Sequence, residues 1–332
     1  MPVIMYREAI RDALAEEMRR DKRVFVMGED VAIYGGAYSA TQGLLEEFGE
    51  ERVRDTAISE AVIAGAATGA AMCGMRPVAE IMYVDFMTLA MDQFVNQAAK
   101  NRYMFGGKTT VPMVLRTEGG AGRCIAAHHS QSLEAWFVHA PGIFVVMPST
   151  PYDAKGLLKT CIRDDNPILF IEHKMLYNTK GEVPAEEYLV PLGKAAVRRS
   201  GDDVTIISYS RMALRAVEAG ERLATEGIQA DVIDLRCLKP LDIDCILESV
   251  RKTGRVVVAS EAYKEGNFVC ELMARIQEFA FDDLDAPIER VCAANVPVPM
   301  SPVLEDEAIP TTDKIVAAAK RTLGKAQSPY DG

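Results

Sequence analysis

Apolar positions fall at helical spacing near the start of the chain, where Tyr6, Ala9, Ile10, Ala13 and Leu14 mark one face of an amphipathic helix. The continuous run Val24-Phe25-Val26-Met27 then stops at Gly28-Glu29-Asp30, which predicts a buried strand. Helices are expected near 40–48 and 59–74, with a strand at 77–81 after them. Between 85 and 105, Phe86, Leu89, Ala90, Phe94, Ala98 and Met104 read as the buried side of one long helix. A strand at 111–116 feeds the glycine-rich loop Gly119-Gly120-Ala121-Gly122. A helix near 130–140, a strand at 143–146, a helix at 151–163 and a strand at 168–171 complete the series. Strands alternating with helices predict a parallel sheet covered on both faces.

From 173 to 192 the periodicity lapses, and Asn178, Gly181, Pro184 and Pro191 punctuate a loop. A second alternating series follows, with strands at 204–208, 230–235 and 255–259. Its helix at 211–226 should bury Ala213, Ala216, Val217, Gly220 and Leu223. The expected organisation is α/β with two doubly wound domains, at 1–175 and 193–325, joined by a linker at 176–192 and ending in a tail at 326–332.

The length of 332 residues and the hydrophobic content of 49% suit two domains with sizeable cores. The longest small-residue stretch, 61–75, is too short and too rich in Gly and Ala for a membrane helix. A net charge of −11 without any basic block argues against nucleic acid and is compatible with a basic protein partner. The seven cysteines are scattered, with no C-x-x-C pair, and read as reduced thiols of a cytoplasmic protein. The first residues resemble neither a signal peptide nor a transit sequence.

The most informative position is Glu60, which opens a run of small residues reaching Ala71. A carboxylate set against closely packed backbone either finds a specific hydrogen-bond partner or stays protonated. Glu29 likewise follows an apolar strand, where parallel sheets place ligands, although a helix-start acid would look the same. His128 and His129 follow the glycine-rich loop at an expected helix start, and histidine suits proton transfer near neutrality. Ser130 capping that helix beside two surface histidines is the plainer alternative. Gly65 and Gly69 suggest a tight helix contact, within the core or between subunits. The stretch 161–167 has the oxygen-rich composition of a hard-cation site and equally that of a turn. The sequence holds no P-loop, no G-x-G-x-x-G after a strand, and no Gly-Asp-Gly followed by the Asn that grips magnesium diphosphate. Any phosphate-bearing cofactor would need a second chain to hold its phosphates.

Taken in order, these residues resemble the β subunits of the thiamine diphosphate-dependent 2-oxo acid dehydrogenases, the pyruvate, branched-chain and acetoin enzymes. The resemblance runs from Val3 to Leu323 and is carried by 27–32 with 35–38, Ile58-Ser59-Glu60, Ala79-Glu80-Ile81, Asp92-Gln93, 129–135 and 146–158. It implies a transketolase-like pyrimidine-binding domain followed by a transketolase C-terminal domain. It also implies that Glu60 contacts the aminopyrimidine N1′ and stabilises the imino tautomer whose nitrogen takes the thiazolium proton. Glu29 would support that site and Phe86 would pack on the pyrimidine. His129 matches the histidine implicated in proton handling and in reductive acylation of the lipoyl arm, whereas His128 stands where relatives carry Gln or Tyr. Met113, Cys161, Ile162, Asp164 and Asn166 match positions that hold a structural potassium ion in some members. The expected partners are an α subunit, which supplies the magnesium and diphosphate site in an α2β2 tetramer, and the subunit-binding and lipoyl domains of a dihydrolipoyl acyltransferase. The segment 80–93 is closest in pattern to acetoin dehydrogenase chains. A self-sufficient transketolase-like synthase and a non-catalytic assembly subunit are the competing expectations.

Overall fold

The computed structural model describes residues 1–325, and the expected tail at 326–332 lies outside the described residues. Contacts divide the chain into two units. The first comprises Met1–Gly119, Trp136–Leu192 and Leu238–Pro240; the second comprises Gly120–Ala135, Gly193–Cys237 and the chain from Leu241 onward.

The first unit is built on a seven-stranded sheet. Its order is Cys237–Lys239, Phe144–Val146, Ile168–His173, Val114–Gly119, Arg76–Ile81, Val24–Gly28 and Val53–Asp55. The last six strands pair in parallel, so their C-terminal ends share one edge. Ligands of open α/β sheets bind beyond that edge. The helix Tyr6–Arg20 buries Tyr6, Ala9, Ile10, Ala13 and Leu14 as its periodicity predicts, and packs on the helix Pro151–Arg163. Between these helices Arg163 donates to the fully buried Glu17 at 2.6 Å.

Two expectations change here. The stretch 176–192 belongs to the first unit, because Lys180–Glu182 pairs antiparallel with Val3–Met5. The segment 85–105 is not one regular helix. It runs as a 3₁₀ turn at Val84–Phe86, an α-helix at Met87–Met91, a π-helix at Asp92–Ala98 and an α-helix at Ala99–Met104. Each change of winding rotates the following side chains away from the 3.6-residue count. Phe94 and Ala98 are buried as expected, whereas Leu89 and Met104 face outward, 59% and 61% exposed.

The second unit has a five-stranded sheet in the order Glu289–Ala293, Val256–Tyr263, Val204–Ser208, Ala230–Asp234 and Ala196–Arg199, the last strand alone antiparallel. Side chains alternate across a strand, so neighbouring residues serve opposite faces. Ile206 joins a core with Ala216, Leu223 and Ile315 from the helices Ser210–Thr225 and Thr312–Thr322. Thr205 points the other way and bonds Ser249 and Thr253 of the helix Ile243–Thr253, at 2.7 Å each. Helices therefore cover both faces. Among the described residues no helix is long and apolar enough to cross a membrane.

Candidate active site

The parallel edge of the first sheet gathers carboxyl groups. Glu29 follows the strand Val24–Gly28 directly, and Gly28 stands in register with both Asp55 and Glu80. Asp55 fixes the loop after Glu29, since its two carboxylate oxygens accept from the Ala32 and Ile33 amides at 2.7 and 3.2 Å. Thr41 Oγ1 donates to the Val31 carbonyl at 2.7 Å and closes the same loop. Thr56 N donates to the Gly28 carbonyl at 2.9 Å, which ties the approach to Glu60 to the same strand end.

Glu60 is the first residue of the helix Glu60–Met72 and is 8% exposed. Ile63, Ala64, Ala67 and Ala71 form the buried face of this helix, while Ala61, Val62, Ala66 and Gly69 face outward. A Cβ on Gly65 would meet Gln93, and one on Gly69 would meet nothing, so only the first of the two glycines marks a close approach within the chain. Glu29 Oε1 is buried and has no hydrogen-bond partner. Burial pushes the Glu29 carboxyl above its ordinary range, and the negative charges of Glu60, Asp30 and Glu80 push it further. Glu29 and Glu60 thus stand at the same sheet edge, near enough for the charge of Glu60 to act on Glu29. An unpartnered carboxyl oxygen beside a second carboxyl suits a ligand with a ring nitrogen and an exocyclic amine, which is the polar edge of an aminopyrimidine. Phe86, half-buried, ends the 3₁₀ turn that follows the neighbouring strand Arg76–Ile81.

Behind the edge lies a buried charged network that the hydrophobic pattern does not announce. Arg116 is fully buried and donates to Glu172 at 2.6 and 2.9 Å and to Glu80 at 2.5 Å. Tyr177 O–H reaches Glu172 at 2.6 Å and Glu118 at 3.1 Å, and its ring stacks on Tyr38 with centroids 4.5 Å apart. Lys174 places its ammonium over the Tyr83 ring, 4.5 Å from the centroid. Three carboxyl groups, Glu80, Glu118 and Glu172, therefore stand with two cations. Burial, reinforced by Glu80 and Glu172, raises Glu118 well above the ordinary range. The signal in the sequence is the charged residues Glu80, Arg116, Glu118 and Glu172 inside largely apolar strands. A charge there must have a partner.

The residues matched to a potassium site cluster at one turn. Met113 O accepts from Ile168 N at 3.0 Å, and Cys161 O accepts from Asp164 N at 3.3 Å. Arg76 Nη1 donates to the Ile162 and Asp164 carbonyls at 2.9 and 2.8 Å. Asn166 donates to Asp164 Oδ1 through its backbone and its side chain, 2.8 Å each. The donor set is oxygen-rich, as a hard cation requires. A bound ion would share two of these oxygens with the Arg76 guanidinium. No group of three or more His, Cys, Asp or Glu side chains able to hold a metal occurs among the described residues.

His128 and His129 lie in Gly120–Ala135, which belongs to the second unit. The expected helix start at Ser130 is corrected, because the helix runs Glu134–His139 and Ser130 Oγ is buried without a hydrogen-bond partner rather than capping it. The chain is held there by Glu134, whose carboxylate accepts from Tyr209 O–H at 2.8 Å, and Tyr209 in turn bonds Ser260 at 2.7 Å. His128 is exposed and His129 half-buried. The structure thus brings Glu29 and Glu60 together in the first unit and carries His129 on the second.

Each unit matches a known domain family: residues 3–180 match the pyrimidine binding domain of transketolase, and residues 193–315 the transketolase C-terminal domain. A split-gene transketolase, described as an inactive β4 tetramer, superposes with a TM-score of 0.81 over 98% of this chain and 100% of its own at 24% identity, a likeness of fold alone. The fold is therefore that of a transketolase-like thiamine enzyme. The chain is 49% identical to 2-oxoisovalerate dehydrogenase subunit beta of Bacillus subtilis, over 96% of this chain and 98% of the relative. It is also 49% identical to acetoin:2,6-dichlorophenolindophenol oxidoreductase subunit beta of Cupriavidus necator, over 95% and 96%. Against pyruvate dehydrogenase E1 component subunit beta of Rhizobium meliloti the identity is 47%, over 98% and 71%. This chain belongs to the family of β subunits of the thiamine diphosphate-dependent 2-oxo acid and acetoin dehydrogenases.

Proposed function

We propose that this chain supplies the pyrimidine-binding half of a thiamine diphosphate site that an α subunit completes in an α2β2 tetramer. When bound, the cofactor supplies the carbanion chemistry that breaks the bond beside the substrate carbonyl. Glu60 would hold a proton at the N1′ position of the pyrimidine, and Glu29, at the same sheet edge, would keep the local balance of charge and protons in favour of that contact. Phe86 packs on the ring. His129 handles protons at the substrate and in acyl transfer to the lipoyl arm. The oxygens of Met113, Cys161, Ile162, Asp164 and Asn166 hold a potassium ion that stiffens their turn. The diphosphate and its magnesium are gripped by the α subunit, a reading supported by the absence of a Gly-Asp-Gly…Asn motif here. The net charge of −11 supports docking of a basic subunit-binding domain of a dihydrolipoyl acyltransferase, in the cytoplasm.

The single observation carrying this reading is the buried, unpartnered Glu29 Oε1 beside Glu60 at the parallel edge of a pyrimidine-binding domain. Calorimetric titration of thiamine diphosphate with magnesium tests it. Tight binding is expected for the co-expressed α and β chains and for neither chain alone. Tight binding by the β chain alone would point to a self-sufficient enzyme, and no binding by the mixture to an assembly subunit. The pattern at 80–93 favours acetoin as substrate, and turnover of acetoin, pyruvate and 3-methyl-2-oxobutanoate by the same preparation decides among them.

A further inference from the structure

We propose that Glu305 is a positioning residue for His129, acting through the backbone of the glycine-rich loop. The proposal rests on the reading above that His129 takes part in acyl transfer. Glu305 sits in the helix Pro302–Ala308 and is 2% exposed. Its carboxylate accepts from the Gly122 amide at 2.9 Å, the Cys124 amide at 3.0 Å and the Cys124 thiol at 3.1 Å. The preceding amide, Ala121 N, donates to Glu261 at 2.6 Å, and the Ala121 carbonyl accepts from Arg211 at 3.3 Å. Ala121 is itself buried against Val298 and Ile309, which flank the Glu305 helix on either side. Two carboxylates of the second unit therefore bind the loop through its main chain, so the contact depends on where the amides point and little on which side chains they carry.

The loop they hold is conformationally costly. Cys124 and Ala126 have φ of 55° and 65°, the left-handed region that residues with a Cβ avoid. Such angles persist only where the surroundings over-determine them. Gly120 N closes the loop onto Gln131 O at 3.0 Å, and the His129 amide donates to Ala126 O at 3.4 Å. Between the left-handed residues and His129 the chain has little freedom once Glu305 fixes Gly122 and Cys124. Removing one acceptor oxygen frees the Cys124 turn and with it the direction in which the chain leaves toward His129. On the other side of His129, Glu134 is locked to Tyr209, so the displacement falls on the segment between.

The test is a double-mutant cycle in the co-expressed α/β complex, read as the rate of reductive acylation of a purified lipoyl domain with the 2-oxo substrate or acetoin that the wild type uses. Glu305→Gln keeps the side-chain volume and one acceptor oxygen. It should lower kcat by about a hundredfold, the cost of misplacing a reacting group by about 1 Å. The double variant with His129→Ala should be no slower than His129→Ala alone, because both changes remove the same group. Losses that multiply, or a wild-type rate for Glu305→Gln, would overturn the proposal. Should Glu305→Gln not assemble, Glu305→Asp carries the same comparison; failure of both to assemble also overturns it, since Glu305 would then be a residue of the fold. A wild-type rate for His129→Ala would instead reject the underlying assignment of His129.

Discussion

Arg116 offers the sharpest test of the packing behind the site. Replacing it with Ala strands Glu80 and Glu172, 3% and 1% exposed, without the guanidinium that binds both. Tyr177 still donates to Glu172, but nothing replaces the charge. Removing one partner of a buried ion pair costs roughly 3–5 kcal/mol, because the other charge is left uncompensated. A domain's whole stability is about 5–15 kcal/mol, so the loss would be a large share of it. Trp136 is the single tryptophan and belongs to the first unit, so its fluorescence in urea follows this unit. With a urea slope of about 1–3 kcal/mol per molar, the midpoint should fall by at least about 1 M. The combined variant R116M/E80Q/E172Q, which removes the charges together, should recover most of that loss. A shift below about 1 kcal/mol for Arg116→Ala would refute the view that Arg116 compensates the buried charges of Glu80 and Glu172.

Two further outcomes follow from neighbouring geometry. Glu118 prefers its proton in the folded chain, above the ordinary value of 4.5, so its favourable contribution is complete below that pH and is lost as pH rises toward the folded value. Glu118→Gln should therefore melt like wild type near pH 4 and progressively higher than wild type as pH rises from about 4.5 to neutrality; an unchanged difference across that range would show that Glu118 does not titrate as argued. Gly142 has φ of 94°, and a Cβ there would lie 2.0 Å from the Ala99 carbonyl oxygen, so Gly142→Ala should cost about 2 kcal/mol or more in urea unfolding, and a neutral result would contradict the packing.

Periodicity carried most of the fold, and it failed where winding departed from a single period. The helices Tyr6–Arg20 and Pro151–Arg163 and the strand Val204–Ser208 appear where the pattern puts them, the first helix with its expected face buried. Leu89 and Met104 were misplaced because a 3₁₀ turn and a π-helix interrupt the 3.6-residue count. The strands Val3–Met5, Lys180–Glu182 and Ala196–Arg199, of three, three and four residues, are too short to show alternation. At the proposed site, Glu60 stands out in the sequence because a charged residue opening a Gly/Ala helix is conspicuous, and Glu29 because it follows an apolar strand. Glu305 and Glu261 do not, since nothing local marks an acid whose partner is a backbone amide some 140 to 183 residues away. The helix expected after the histidines begins at Glu134, later than the Ser130 signal, where Glu134 is held by a tertiary contact with Tyr209.

The proposed function requires Glu60 to place a proton at the pyrimidine. Its most direct test is the rate at which the thiazolium C2 hydrogen of bound thiamine diphosphate exchanges for deuterium in the assembled α/β complex. Glu60→Gln should assemble and bind cofactor, yet exchange at least about a hundredfold more slowly than wild type. Exchange at the wild-type rate in that variant would contradict the role given to Glu60.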